Sequence, residues 1–177
     1  YLDWHKLHNR EDIKKDWGMF VHTFDKLIPV DTYFTTHPEW FSEIHGKRIK
    51  DGQLCLSNPA LLEELCKNLA LEIQKKPEAT YWSVSTNDNY NNCTCSACRR
   101  LDSLYGAPSG TLLYFINQVA ARFPDKQIST LAYQYTRKPP QRLIQPAENV
   151  NIMFCSIECD RSMPIALNPA EQAFVAD

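Results

Sequence analysis

The chain has 177 residues, enough for one domain with a substantial core, and its 44% hydrophobic and 23% charged residues are ordinary for a globular protein. Nineteen basic and 21 acidic residues give a net charge of −2 without a basic stripe, which argues against nucleic acid or an anionic membrane surface as a partner. No apolar run reaches the roughly 18 residues that a membrane-spanning helix needs.

The first third of the chain is predicted to hold one short helix, one buried strand and a long loop. Residues 3–16 are polar with scattered apolar positions, which is typical of a short helix and a linker. The apolar run WGMFVHTF at 17–24 indicates a buried strand. Residues 25–52 are rich in aromatic side chains, and a loop of this length inside a compact domain is commonly functional.

Helices and strands alternate over the rest of the chain. Asn58 and Pro59 are typical of a helix start, and leucines at helical spacing extend this helix over 60–76. The stretch TYWSVST at 80–86 has the β-branched and aromatic composition of a strand. The remaining predicted elements are a helix over 110–123 capped by Ser109, a strand over 126–135 and a strand over 149–160.

This alternation predicts an α/β fold in which helices flank parallel strands. Four strands do not close a barrel, and a complete (β/α)₈ barrel takes about 250 residues. The chain begins without methionine and ends within a helical pattern. We therefore expect residues 1–177 to form a single domain that is a partial (β/α)₈, TIM-barrel-like excerpt of a larger barrel. A small open α/β sheet is the alternative.

Each predicted strand runs out into polar or aromatic residues. In parallel α/β folds, ligands and catalytic groups collect at the carboxyl ends of the strands, so these residues are expected to share one edge of the sheet. They are His22 and Asp25 after the first strand, Asn87, Asp88 and Asn89 after the second, Tyr133, Gln134 and Tyr135 after the third, and Glu158, Asp160 and Arg161 after the fourth.

Asp88 and Glu158 are the candidate catalytic pair, because glycoside hydrolysis needs two carboxyl groups at one cleft. We expect Asp88 to be the general acid, with a pKa raised by a partly buried site, and Glu158 to be the nucleophile or general base. Two other interpretations stay open on the residues alone. Asp88 could cap a turn, and Glu158 could form a structural ion pair with Arg161.

Substrate contacts are expected from polar and aromatic side chains around this pair. An aromatic ring such as that of Trp40 could stack on the apolar face of a sugar, although clustered aromatics also form small cores beneath loops. A histidine beside an apolar run can equally be a satisfied core residue. The predicted substrate-binding residues are His22, Asn87, Tyr133, Tyr135, Arg161 and Trp40.

Cys93, Cys95 and Cys98 form a C-x-C-x-x-C triplet that suits a shared zinc ion, which prefers four tetrahedral ligands. A disulfide within the triplet or simple thiol packing is the alternative, although Cys93 and Cys95 are too close for relaxed bridge geometry. We expect this cluster to be a structural clasp and predict no cofactor required for catalysis. The candidates for a fourth ligand are Cys55, Cys66, Cys155, Cys159 or a histidine.

Several stretches together resemble a bacterial family of domains of unknown function, numbered 4838, that occurs in glycan-degrading bacteria. The resemblance runs from about Trp17 to Pro164, and its most specific part is Asn-Asp-Asn followed by C-x-C-x-x-C and a later Ser-Ile-Glu-Cys. The stretches are WGMFVHTF, YFTTHPEWF, QLCLSNP, STNDNYNNCTCSACRRLD, APSGTLLYFINQVA, ISTLAYQYTRKPP and MFCSIECDRSMPI.

The family is similar to TIM-barrel glycoside hydrolases, near the α-glucuronidases and β-hexosaminidases. This resemblance implies a barrel fragment that cleaves a glycosidic bond in a polysaccharide or glycoconjugate, in a secreted, periplasmic or cell-surface bacterial protein. By position, Asp88 matches the acidic residue that those enzymes carry after their fourth strand. Hexosaminidases have an Asp-Glu pair where this chain has Asp88-Asn89, which argues against a substrate-assisted mechanism.

Two other functions stay open. One is a non-catalytic carbohydrate-binding barrel that has kept the cleft and lost the chemistry. The other is a zinc-stabilised interaction module without a sugar site. The oligomeric state does not follow from the sequence.

Overall fold

The computed structural model describes residues 15–141, 144–160 and 162–173. Most of the helix and linker predicted at 3–16, and Arg161 with its predicted substrate contact, lie outside these residues. The strands and α-helices of the described part are, in chain order, β1 (Trp17–Met19), α1 (Phe24–Leu27), α2 (Val30–Tyr33), β2 (Glu43–Ile44), β3 (Lys47–Arg48), α3 (Pro59–Lys75), β4 (Tyr81–Ser83), α4 (Ser96–Tyr105), α5 (Pro108–Ala120), β5 (Gln127–Ala132) and β6 (Val150–Phe154).

The main sheet has four parallel strands in the order β1-β4-β5-β6, and β2 and β3 form a separate antiparallel hairpin. Parallel neighbours in this order confirm the predicted α/β class with a parallel sheet and helices. Strands β5 and β6 pair continuously from Ile128 opposite Val150 to Ala132 opposite Phe154. Closure into a barrel is not seen in the described residues and stays a prediction.

One main core lies between the sheet and helices α3 and α5. Leu65 and Phe115 from the two helices and Trp82 and Ile128 from the sheet are almost completely buried in it. Helix α3 begins as predicted, because the Asn58 side chain accepts hydrogen bonds from two amides of the first turn. The helices therefore bury their apolar stripes against one face of the sheet and leave its edges to carry polar groups.

The strands predicted at 17–24, 80–86, 126–135 and 149–160 are longer than the observed β1, β4, β5 and β6, and residue 24 lies in α1 instead. Three other details also differ from the sequence prediction. The long loop at 25–52 contains α1, α2 and the β2–β3 hairpin, so part of it is regular structure. Helix α5 begins at Pro108 with Ala107 as its N-cap, and Ser109 instead donates to the Lys138 carbonyl. Helix α4 was not expected, because the cysteine triplet obscures the amphipathic pattern of the residues that follow it.

No helix within the described ranges is both long enough and apolar enough to span a membrane.

Gly18 in β1 lies directly against the indole of Trp82 in β4. A Cβ at this position would come within 2.2 Å of the six-membered part of the indole ring, and Trp82 is only 1% exposed. We expect Gly18→Ala to lower the free energy of unfolding by about 1–3 kcal/mol through overpacking, measured by urea denaturation. In a Trp82→Phe background the smaller ring should relieve the clash, so the two losses should be less than additive. Full additivity would contradict this explanation.

Candidate functional site

Asp88 and Glu158 both belong to a hydrogen-bonded group at the carboxyl ends of the strands. Asp88 Oδ1 accepts from the Tyr133 hydroxyl at 2.9 Å and from Gln134 Nε2 at 3.0 Å. The two oxygens of Glu158 accept from Tyr90 at 2.8 Å and from Arg137 at 2.9 Å. Each carboxylate therefore has two donors that fix its position.

One short segment after β5, residues 133–137, holds both carboxylates. Its first two residues donate to Asp88, and its last residue, Arg137, forms the ion pair with Glu158. A 3₁₀ turn at Gln134–Thr136 sets the spacing between these donors, and the Thr136 hydroxyl donates back to the carbonyl of Tyr133. The end of β5 thus connects the loop after β4 with the loop after β6.

Two residues beside Asp88 adopt left-handed backbone conformations that favour glycine. His22 has φ 52° and Gln134 has φ 50°. Such conformations cost on the order of 1–3 kcal/mol in a residue of this size and collect at functional sites. His22 Nδ1 lies 2.8 Å from the Thr86 carbonyl, and its ring centroid is 5.8 Å from that of Tyr133. Two of the three such residues in the described chain therefore lie at strand ends near Asp88, and the third, His45 with φ 49°, lies in the turn between β2 and β3.

Asn87 is buried and ties the loop after β4 to the start of α1. Its Nδ2 donates to Asp25 Oδ1 at 2.7 Å, and its Oδ1 accepts from the Asp25 amide at 3.2 Å. Desolvation raises the pKa of the Asp25 carboxyl, while the hydrogen bond from Asn87 acts in the opposite direction. Asn87 thus acts as a connector within the protein as well as a neighbour of Asp88.

The structure brings together His22, Asn87, Asp88, Tyr133 and Glu158, and it places other predicted residues elsewhere. Asp88 itself is exposed in the described structure, so the partial burial expected for it is not found there.

Tyr135 lines a small cavity beside Cys93 and Cys98, away from the two carboxylates. Burial, together with the neighbouring Asp102, Cys98 and Cys93, raises the pKa of its phenol. Trp40 is 6% exposed and stacks on His37, with its indole in the main core. Among the described contacts, none joins either ring to Asp88 or Glu158.

Sequence reasoning missed three residues of this site, namely Tyr90, Arg137 and Gln53. Arg137 follows a strand end, so the rule that identified Tyr133 could have included it. Gln53, whose amide donates to the carbonyls of Asn87 and Asn89, comes directly after the long loop and 34 residues before Asn87, and nothing in its local pattern distinguishes it.

The second functional feature is a buried cluster of four cysteines, Cys55, Cys93, Cys95 and Cys98. Their Sγ atoms all lie within 4.8 Å of one another, so they could hold a metal ion. Exposure ranges from 2% for Cys98 to 7% for Cys95. The predicted triplet is confirmed as a cluster, and Cys55 is the fourth member among the candidates.

Backbone amides and one guanidinium group donate hydrogen bonds to the sulfur atoms of the cluster. Cys95 is the N-cap of α4, and its Sγ accepts from the Cys98 amide at 3.5 Å. Cys93 Sγ accepts from the Glu43 amide at 3.3 Å and from Arg48 Nη1 at 3.7 Å. Helix N-termini and cations stabilise thiolates, so this environment suits sulfur ligands of a metal.

The thiols also interact strongly with one another. Hydrogen bonds from Cys93 and then Cys98 lower the pKa of Cys55 far below that of an ordinary thiol. The same contact with Cys55 raises the pKa of Cys93 to about 12. Without a metal, ionisation is therefore favoured at Cys55 over Cys93, with Cys93 and Cys98 as thiol donors to it.

Comparison with known proteins identifies the family without indicating an activity. No curated protein and no solved structure matches the chain. One family model, described as a domain of unknown function (DUF4838), matches residues 1–177. The match covers both the strand-end carboxylates and the cysteine cluster. The chain therefore belongs to the DUF4838 family.

Proposed function

We propose that this chain is a carbohydrate-active domain of the glycoside hydrolase type, in which Asp88 and Glu158 cleave a glycosidic bond. One observation carries the proposal: residues 133–137 donate hydrogen bonds to both carboxylates. Glycoside hydrolysis requires two carboxyl groups kept at a fixed separation across the scissile bond. Two carboxylates bound to one short turn support such an arrangement.

The charges around the two carboxylates suit different roles. Glu158 has a cationic partner, Arg137, so its negative charge is compensated and it fits the nucleophile or general base. The donors to Asp88 are the neutral groups of Tyr133 and Gln134. Among the described contacts of Asp88 there is no cationic partner, so we assign it the role of general acid and leave the charged role to Glu158.

His22 supplies a defined polar group beside this pair. A carbonyl can only accept, so Nδ1 carries the proton that is donated to Thr86. In the neutral ring Nε2 is then an acceptor, which suits a sugar hydroxyl. The ring of Tyr133, whose hydroxyl contacts Asp88, lies against His22 and would define the wall of the sugar site.

We also propose that the four cysteines bind one structural zinc ion. Four thiolates around zinc at about 2.3 Å form a tetrahedron whose sulfur atoms are about 3.8 Å apart. The Sγ atom of Cys55 lies 3.7 Å from that of Cys95 and 3.9 Å from that of Cys98. With four protein ligands the ion has no open position, so its role is to join the loop around Cys55 to the start of α4.

Aryl glycosides and glucuronides test the catalytic roles, because a good leaving group does not need protonation. We expect Asp88→Asn to lower kcat by about 10²–10⁴-fold on alkyl or natural glycosides and much less on dinitrophenyl glycosides. Glu158→Gln should abolish turnover of both kinds of substrate. The matched control is Asp125→Asn, an exposed carboxylate just before β5 at the opposite edge of the sheet, which should leave kcat unchanged.

Two results would contradict the enzyme proposal. A wild-type chain that binds these sugars by calorimetry without turnover, and loses binding in Asp88→Asn, would be a carbohydrate-binding barrel. A chain that neither binds nor cleaves them but holds zinc would be an interaction module.

Elemental analysis tests the zinc site. The purified chain should contain about one zinc per molecule, and Cys55→Ser should lose the metal and lower the melting temperature, because a metal bound only by the folded state stabilises it. Cys155→Ser is the control, since Cys155 lies outside the cluster, and it should keep the metal. Freely titrating thiols in wild-type protein without zinc would refute the site.

A further inference from the structure

The side chain of Gln53 forms hydrogen bonds with the residues directly before and after Asp88. Its Nε2 donates to the carbonyls of Asn87 and Asn89, each at 2.8 Å, and its Oε1 accepts from the Asn87 amide at 2.9 Å. The side chain is 1% exposed, so these hydrogen bonds form away from water. Asp88 is the one residue between the two that Gln53 binds.

The backbone of Gln53 forms further hydrogen bonds, one of them to the same loop. Its amide donates to the Asn91 carbonyl at 3.1 Å, and its carbonyl accepts from the Ser42 amide at 2.9 Å. The loop from Asn87 to Asn91 therefore makes more hydrogen bonds to Gln53 than to any other described residue, and Asp25, Asp51 and Gly52 bind it as well. Loss of the Gln53 amide side chain or of its position would loosen the loop around Asp88.

The cysteine cluster fixes the position of Gln53 and of the far end of the loop. Cys55 follows Gln53 by two residues, and Cys93 follows Asn91 by two residues. Both cysteines lie in the four-sulfur cluster, and the Cys55 amide is bonded to the Trp40 carbonyl at 2.8 Å. A metal bound there would therefore join the two segments just beyond the contacts that Gln53 makes.

We propose that Gln53 is a positioning residue for Asp88 and that it conveys the metal-bound state of the cysteine cluster to the Asp88 loop. This inference rests on the proposed zinc site and carboxylate chemistry. With metal bound, Gln53 holds Asn87 and Asn89, and Asp88 meets its donors Tyr133 and Gln134. Without metal, the two segments separate and Asp88 loses its fixed position.

Hydrogen exchange of the segment 87–91, followed by mass spectrometry, tests the structural part without any substrate. Gln53→Glu keeps the shape and the acceptor for the Asn87 amide but removes both donations to carbonyls. It should retain zinc and speed exchange in this segment by about tenfold or more. Gln118→Glu, which alters an amide that donates to the Tyr114 carbonyl on α5, should change nothing there.

Metal removal should have the same local effect. Wild-type protein stripped by a chelator, and the Cys98→Ser variant, should show faster exchange at 87–91. In Gln53→Glu, stripping should add little, because the connection is already broken. Unchanged exchange at 87–91 in Gln53→Glu, or in the stripped wild-type protein, would overturn the proposal.

Turnover tests whether Gln53 acts through Asp88. Gln53→Glu should lower kcat at least tenfold with little change in KM, and the same substitution added to Asp88→Asn should cause no further loss. An equal loss in both backgrounds would mean a general structural role and would overturn the positioning claim. If no sugar is cleaved, the proposed hydrolase function fails, and the exchange experiment alone decides the role of Gln53.

Discussion

The buried amide of Gln53 is the contact on which the geometry of the strand-end site depends. A buried primary amide is costly unless its donors and its acceptor all have partners, and here they are satisfied by backbone groups of one loop. The loop between Asn87 and Cys93 has no helix or strand of its own. Its conformation is therefore set by this amide and by Asp25 and Gly52 from within the protein, and by the turn after β5 from the other side.

The Asn-Asp-Asn triplet and the cysteine triplet are the two conspicuous motifs of the sequence. They have different structural roles within one loop. Asn87 and Asn89 are held by the protein, and only Asp88 between them turns to the strand-end groups. The cysteines hold the end of the same loop at the start of α4. Their closeness in sequence follows from a short loop that must be fixed at both ends to present one carboxylate.

Local patterns predicted the two long helices α3 and α5 and the four strands of the main sheet, because these follow from short-range rules. Asn58 and Pro59 mark a helix start wherever they occur together, and the rule that parallel strands end at one edge identified Asp88 and Tyr133. Long-range partners could not be predicted in this way. Gln53 has no distinguishing neighbours, and the sequence could not separate Cys55 from the other candidates for the fourth ligand. Glu158 pairs with Arg137 of the preceding strand end in the described structure.

The left-handed conformations of His22 and Gln134 show why the strand ends differ from the rest of the sheet. No propensity rule predicts φ near 50° for either residue, so tertiary contacts must impose it. Gln134 is held by the 3₁₀ turn and by Asp88, and His22 by the Thr86 carbonyl. Gln134 contacts the Asp88 carboxylate itself, and His22 contacts Thr86, two residues before it. The folding energy that the main core provides is thus partly offset at the carboxyl ends of the strands, where Asp88 and Glu158 each bind the segment after β5.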